Sequence, residues 1–124
     1  MIINKRPKAL ILVLEPLWEG LFSVMMTKLD WDCEVVTSRE KAVDRLKIAH
    51  FDVLITDYRM PQGNGLHFIC CLRQEGITLP AIVMSGDNQV LRMVPKDLLT
   101  IPATLLKPFT VLELNVALKS ALSV

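Results

Sequence analysis

The stretch Phe51-Asp52-Val53-Leu54-Ile55-Thr56-Asp57-Tyr58-Arg59-Met60-Pro61 decides the fold. Its first half is an apolar run rich in Val, Leu and Ile, the composition of a strand buried on both faces of a parallel sheet. The run ends in a carboxylate, Asp57, and a turn containing Pro61, Gly63 and Gly65 follows. An acid at the C-terminal tip of such a strand lies where open α/β sheets bind ligands. Asp52 opens the same strand. At roughly 3.3 Å per residue it lies about 16 Å from Asp57, so it reads as a solvated residue rather than a partner in one site.

Outward from this strand, apolar runs alternate with helical spacings. Lys8 to Leu14 is a first strand, ended by Glu15-Pro16, and Met1 to Pro7 before it reads as a loose leader. Leu17 to Leu29 repeats apolar residues at Leu17, Leu21, Val24, Met25 and Leu29. Trp18, Phe22 and Met26 widen that face, which predicts a well-buried helix. Cys33 to Val36 is a second strand, with Asp30 and Asp32 before it at the far edge of the sheet. Thr37 with Glu40 predicts a capping box for a helix running to about Ala49. After the central strand come a helix over Gly65 to Gln74, stopped near Gly76, and a fourth strand over Pro80 to Met84. Pro95 removes a backbone donor within Asn88 to Thr100, so the fourth helix is expected to be short or broken. Ala103 to Leu106 is a fifth strand, and Thr110 with Glu113 predicts a capping box opening a last helix through Ala121. Five strands alternating with helices predict one doubly wound α/β domain with a five-stranded parallel sheet, structured from about residue 8 to 122.

Composition agrees. The 124 residues are enough for one core and too few for two domains. The chain is 52% hydrophobic and 22% charged, with a formal net charge of +1. That excludes disorder and offers no basic stripe for direct binding of nucleic acid. Apolar runs such as Ala9 to Leu14 are too short to cross a membrane. No apolar region with a small-residue cleavage site follows the basic start of the chain. The three cysteines, Cys33, Cys70 and Cys71, have no metal-ligand spacing, and free Cys behaves as a small core hydrophobe. The chain therefore reads as cytoplasmic, with reduced thiols. His50 and His67 have no partner pattern and read as surface residues.

All strands of a parallel sheet point one way, so their C-terminal tips share an edge. This sequence puts Glu15, Asp57, Ser85 and Lys107 there, one polar residue from each of four strands. Two acids suit a small hard cation such as Mg²⁺. A lysine brings a point charge for phosphate, and a serine hydroxyl brings a further donor. Together they describe a site for a phosphoryl group.

These residues carry a resemblance. Asp57-Tyr58-Arg59-Met60-Pro61 with Gly65, then Val83-Met84-Ser85-Gly86, then Leu106-Lys107-Pro108-Phe109, resemble the response-regulator receiver domain, the phosphoacceptor module of two-component signalling, over nearly the whole chain. The resemblance implies a flavodoxin-like fold with strand order 2-1-3-4-5. It implies that Asp57 takes a phosphoryl group from a histidine kinase or phosphotransfer protein as an acyl phosphate, with Mg²⁺ required. Lys107 would neutralise a phosphoryl oxygen, Ser85 would bond another, and Gly86 would leave room for the group. Glu15, Asp57 and the backbone carbonyl of Arg59 would hold the metal. Pro108 would follow a cis peptide bond. The side chains of Arg59 and Asp87 would lie beside the pocket, exposed to solvent. Such a chain assists its own phosphorylation and dephosphorylation without being an enzyme towards others, and it signals to an effector protein or a fused output domain. A homodimer through the last helix is compatible with this.

Two departures from the family's pattern matter. The usual pair of adjacent acids after the first strand is reduced to Glu15 in Leu14-Glu15-Pro16, which predicts weak Mg²⁺ binding. The aromatic residue often found three positions before the lysine is Thr104, so no ring is available for rotamer coupling. Both features favour a second reading, a pseudo-receiver that acts as a protein-interaction module without phosphorylation. A third, a flavodoxin-like cofactor binder, would want a glycine- and hydroxyl-rich loop where Glu15-Pro16-Leu17-Trp18 places an acid and bulk.

Overall fold

The computed structural model describes residues 5–124. Most of the expected leader, residues 1–4, lies outside them. Five strands form one parallel sheet: β1 (Lys8–Leu12), β2 (Asp32–Val36), β3 (Val53–Asp57), β4 (Ala81–Ser85) and β5 (Ala103–Leu106). Their order is β2-β1-β3-β4-β5. Six helices connect and follow them: α1 (Pro16–Lys28), α2 (Arg39–Ile48), α3 (Gly65–Gln74), α4 (Asn88–Arg92), α5 (Lys96–Leu99) and α6 (Val111–Leu122). The expected doubly wound fold is observed, and the fourth helix is broken into α4 and α5 with Pro95 as the N-cap of the second piece.

The strands read as continuous apolar runs because both faces of the sheet are covered. Residues of β1 alternate between two cores. Ala9 and Ile11 join Ile55, Ile82 and Met84 against α1 and α6. Leu10 and Leu12 join Leu54 and Val83 against α2, α3, α4 and α5. Every residue of β3 and β4 is buried, including Thr56, Asp57 and Ser85. Polar side chains inside two such strands are costly unless they find partners, which marks Asp57 and Ser85 as residues with a task.

Several local expectations need correction. The first strand ends at Leu12 rather than Leu14, although Val13 still donates a backbone hydrogen bond to Val36. The second begins at Asp32, not Cys33. The α1 face is rotated from the expected one: Phe22, Met25 and Met26 are buried, whereas Leu17, Leu21 and Val24 are exposed. Apolar residues surround most of this helix, so spacing alone did not choose the inward side. The N-cap of α2 is Ser38, whose hydroxyl accepts from the Lys41 amide, so the Thr37–Glu40 box does not form. The Thr110–Glu113 box does form at α6. Asp52 is more than a solvated end: its Oδ2 accepts from the Lys8 amide at 2.8 Å and ties β3 to the start of β1. Cys70 packs against the second core, while Cys71 is half-buried with its Sγ 3.9 Å from His67 Nε2.

An arginine closes the far end of the fold. Arg73 on α3 donates to the carbonyls of Leu99 (2.9 Å), Ile77 (2.8 Å) and Thr100 (3.4 Å). Thr100 has a φ of 54°, a left-handed conformation that a β-branched residue adopts only when its surroundings enforce it. Burial lowers the pKa of Arg73 from its ordinary value.

Candidate functional site

Register places the site. Leu12 pairs with Thr56, so β1 runs out beside Asp57 and delivers Leu14 and Glu15 just past the sheet. Asp57 pairs with Met84, so Ser85 lies one residue beyond it. Ser85 pairs with Leu106, so Lys107 lies one further. The Lys107 amide then donates to the Ser85 carbonyl at 2.8 Å, which extends the ladder and fixes the lysine over the sheet edge. The Lys107–Pro108 peptide bond is cis. The four expected residues do converge: Glu15, Asp57, Ser85 and Lys107 line one cleft of about 310 Å³ with Leu14, Arg59, Met60, Pro61, Met84 and Gly86.

At its centre Lys107 Nζ donates to Asp57 Oδ1 at 2.7 Å, within a pair whose side chains are only 18% and 7% exposed. Asp57 Oδ2 has no protein donor among the described residues, and no buried side-chain oxygen is left unpartnered. The second oxygen must therefore face the cleft. A carboxylate anchored by one oxygen and open at the other is disposed to act as a nucleophile or to bind a metal.

The neighbours have distinct duties. Ser85 Oγ accepts from the Asp87 amide at 3.0 Å, which leaves its proton free to donate into the cleft. The same hydroxyl thus closes the turn after β4 and keeps a proton unused by it. Asp87 is half-buried and caps α4 by accepting from the Gln89 amide at 2.9 Å, so its side chain is not simply solvated. Arg59 is exposed. Glu15 occupies the N-cap position of α1 without making a side-chain capping bond, which leaves its carboxylate available to the cleft.

Glycine is required at Gly65 for a reason of space. Its amide donates to the Tyr58 carbonyl at 2.7 Å, and a Cβ there would be driven into the Asp57 carbonyl. The loop after β3 therefore closes tightly against the strand tip. At Gly86 a Cβ would meet nothing within 4 Å, so that position opens onto free space.

The donor set fits a hard divalent cation sparingly. Carboxylates of Glu15 and Asp57 and the Arg59 carbonyl would be its oxygen ligands, with water completing the shell. Among the described residues no cluster of three or more acidic, His or Cys side chains is placed to hold a metal. Leu14 lines the cleft, whereas Pro16 is the first residue of α1 and does not.

Sequence reasoning overlooked one contact. The ammonium of Lys107 lies 5.4 Å above the Trp18 ring, and Trp18 stacks on Phe109 with centroids 5.1 Å apart. Trp18 was legible as part of an apolar helix face and as a neighbour of Glu15, not as a partner of Lys107.

Comparison with known proteins agrees with this geometry. The family described as response regulator receiver domain matches residues 15–119. The transcriptional regulatory protein BasR of Escherichia coli is 27% identical over 106 residues, covering 86% of this chain and 47% of BasR. The chain spans less than half the length of the curated relatives it matches. Among solved structures, a sensor protein from Polaromonas sp. JS666 superposes with a TM-score of 0.85 at 22% identity, covering 96% of this chain and 98% of that one. A response regulator receiver protein from Pseudomonas putida gives 0.81 at 26% identity, covering 94% and 98%. Among the described residues no helix is long and apolar enough to cross a membrane.

Proposed function

The chain belongs to the response regulator receiver domain family, and on that premise we propose that it accepts a phosphoryl group on Asp57. The observation that carries the reading is the half-engaged carboxylate: Oδ1 is held by Lys107 at 2.7 Å while Oδ2 faces the cleft. In the proposed step Oδ2 attacks phosphorus and forms an O–P bond. The bond from phosphorus to the donor breaks, and the donor leaves with the electron pair. From a phosphohistidine, the leaving imidazole nitrogen is neutralised by a proton. Lys107 balances charge on the phosphoryl group, and the free proton of Ser85 bonds one of its oxygens. Glu15, Asp57 and the Arg59 carbonyl would hold Mg²⁺, whose charge would stabilise the phosphoryl oxygens when bound. The phosphodonor would be a histidine kinase or phosphotransfer protein, and the output an effector protein or a fused domain.

The lone acid at Glu15 and the small Thr104 favour a second reading, a pseudo-receiver that binds partners without phosphorylation. Intact-mass spectrometry after incubation with acetyl phosphate and Mg²⁺ separates the two. A phosphoryl adduct on the wild type and none on Asp57→Asn is the expected result. A folded wild type that takes no adduct at high Mg²⁺ supports the pseudo-receiver.

A further inference from the structure

We infer that Trp18 is a positioning residue for Lys107, holding the lysine ammonium against Asp57. The inference deepens the proposed function and rests on it for its consequence, though not for its geometry.

A lysine reaches its target through a flexible four-carbon stem, and its compact, strongly hydrated charge ordinarily seeks water. In this cleft one oxygen of Asp57 holds it at 2.7 Å. Leu14, which lines the same cleft beside Glu15, adds no charge that would help to hold it. The Trp18 ring takes up part of that duty. Its face lies 5.4 Å from Nζ, within the range in which the negative face of an indole attracts a cation, and indole is the strongest of the aromatic partners.

The ring is itself held in place. Trp18 stacks on Phe109 at 5.1 Å with 28° between planes, and packs on Phe22 at 6.0 Å. Phe22 and Phe109 are 5.8 Å apart, so the three rings form a closed cluster. Phe22 is fully buried and anchors the cluster in the core. Phe109 follows Lys107 by two residues, so one turn carries both the lysine and the ring that fixes Trp18. Trp18 follows Glu15 by three residues at the start of α1, the spacing that sets residues on one helix face. The first turn of α1 thus brings to the cleft an acid and, next to it, an aromatic wall for the lysine.

The test uses the full chain with ¹³C-labelled lysine, the Lys107 ε-methylene resonance being assigned through Lys107→Arg. A methylene next to an ammonium over an aromatic face is displaced upfield by the ring current. The displacement is expected in the wild type, reduced but present in Trp18→Phe, and absent in Trp18→Leu. In parallel, acetyl phosphate and Mg²⁺ are added and adduct formation is followed by intact mass. Trp18→Leu is expected to slow it roughly threefold to tenfold, and Trp18→Phe to stay within about twofold of wild type. An undisplaced Lys107 methylene in the wild type overturns the inference and requires no variant. So does a Trp18→Phe protein as slow as Trp18→Leu, because packing would then explain the loss, and so does an unaffected Trp18→Leu. If Trp18→Leu does not fold, Trp18→Met replaces it as the ring-free variant. If the wild type takes no adduct while the methylene shifts keep their order, the phosphoacceptor reading fails and the placement of Lys107 by Trp18 stands.

Discussion

Removing Lys107 should destabilise the fold more than neutralising Asp57, although each change breaks the same ion pair. The asymmetry follows from reach. Asp57 sits on a short side chain at the tip of a fully buried strand, with its side chain 7% exposed. In Lys107→Met the carboxylate loses the one protein donor it has among the described residues and cannot move out to water. Charge-assisted hydrogen bonds contribute about 1.5–3 kcal/mol, and an unpaired buried charge costs at least as much. The open side of Asp57 admits water, so the lower part of that range applies, about 2 kcal/mol. In Asp57→Asn the lysine keeps an amide oxygen as acceptor and has a flexible stem that reaches solvent, so the cost should stay below about 1 kcal/mol. The double variant should lie close to Asp57→Asn alone. Urea unfolding at neutral pH reads these differences. With a slope of about 1.5 kcal/mol per M, the Lys107→Met midpoint should fall by roughly 1.3 M and the Asp57→Asn midpoint by less than about 0.7 M. Equal losses in the two single variants, or an unchanged midpoint for Lys107→Met, would refute the reasoning.

Other perturbations address the surrounding structure. Gly65→Ala forces a Cβ into the Asp57 carbonyl; a loss of about 1–3 kcal/mol in urea unfolding is expected, with slower adduct formation from acetyl phosphate. Arg73→Met removes the side-chain donor from the carbonyls of Leu99 and Ile77, while Thr100 keeps the bond from the Ala81 amide. It should cost about 1–3 kcal/mol, with faster amide hydrogen exchange in α5 as the local sign. Glu34 is held below its usual pKa by the hydrogen bond from Arg45 at 2.6 Å. Its contribution is therefore complete above an unfolded value near 4.5 and is lost as pH falls through the lower folded value. Glu34→Gln should remove that part of the acid limb, a change under about 1 kcal/mol because solvent screens the pair. Leu14→Asp places a second acid at the cleft and should move the Mg²⁺ titration of tryptophan fluorescence to lower concentration. An unmoved titration would mean that position 14 does not face the metal.

The sheet was legible because its strands are apolar on both faces and punctuated by Pro, Gly and Asp. The site followed from it, since parallel strands must end on one edge. What failed did so for local reasons. On α1, apolar residues at Leu17, Trp18, Leu21, Phe22, Val24, Met25 and Met26 cover most of the circumference, so periodicity could not say which side meets the sheet. At α2, Thr37 and Ser38 are adjacent competent caps, and the backbone turns at the second. The Lys107–Trp18 contact and the bonds from Arg73 to Leu99 and Thr100 join residues far apart in sequence, with no local pattern to announce them. Gly65 could be read as part of a motif, but its need for glycine appears only when the Asp57 carbonyl is seen against it.

The lone acid beside β1 has two opposed consequences. With Glu15 and Asp57 negative and Arg59 and Lys107 positive, the four charged groups lining the cleft sum to zero. A second acid would make the sum −1. Each negative charge at about 6 Å repels an incoming anionic phosphodonor by roughly 3 kcal/mol at an effective dielectric of 20, before screening. Losing an acid therefore weakens the hold on a cation and also lessens the repulsion that the cation would have to offset. Capture of a phosphoryl group is thus not removed by Leu14; its dependence on Mg²⁺ should become shallower. Under the proposed function output is a separate matter that would turn on Thr104, which lies in the groove between β5 and α6 rather than in the cleft. With no ring there to turn inward, a charge gained at Asp57 can reach that groove only through the backbone link from Lys107 to Ser85 and through β5 itself. Under the proposed function capture and output would depend on different residues in this chain, so a phosphorylated form that switches its partners weakly is physically coherent.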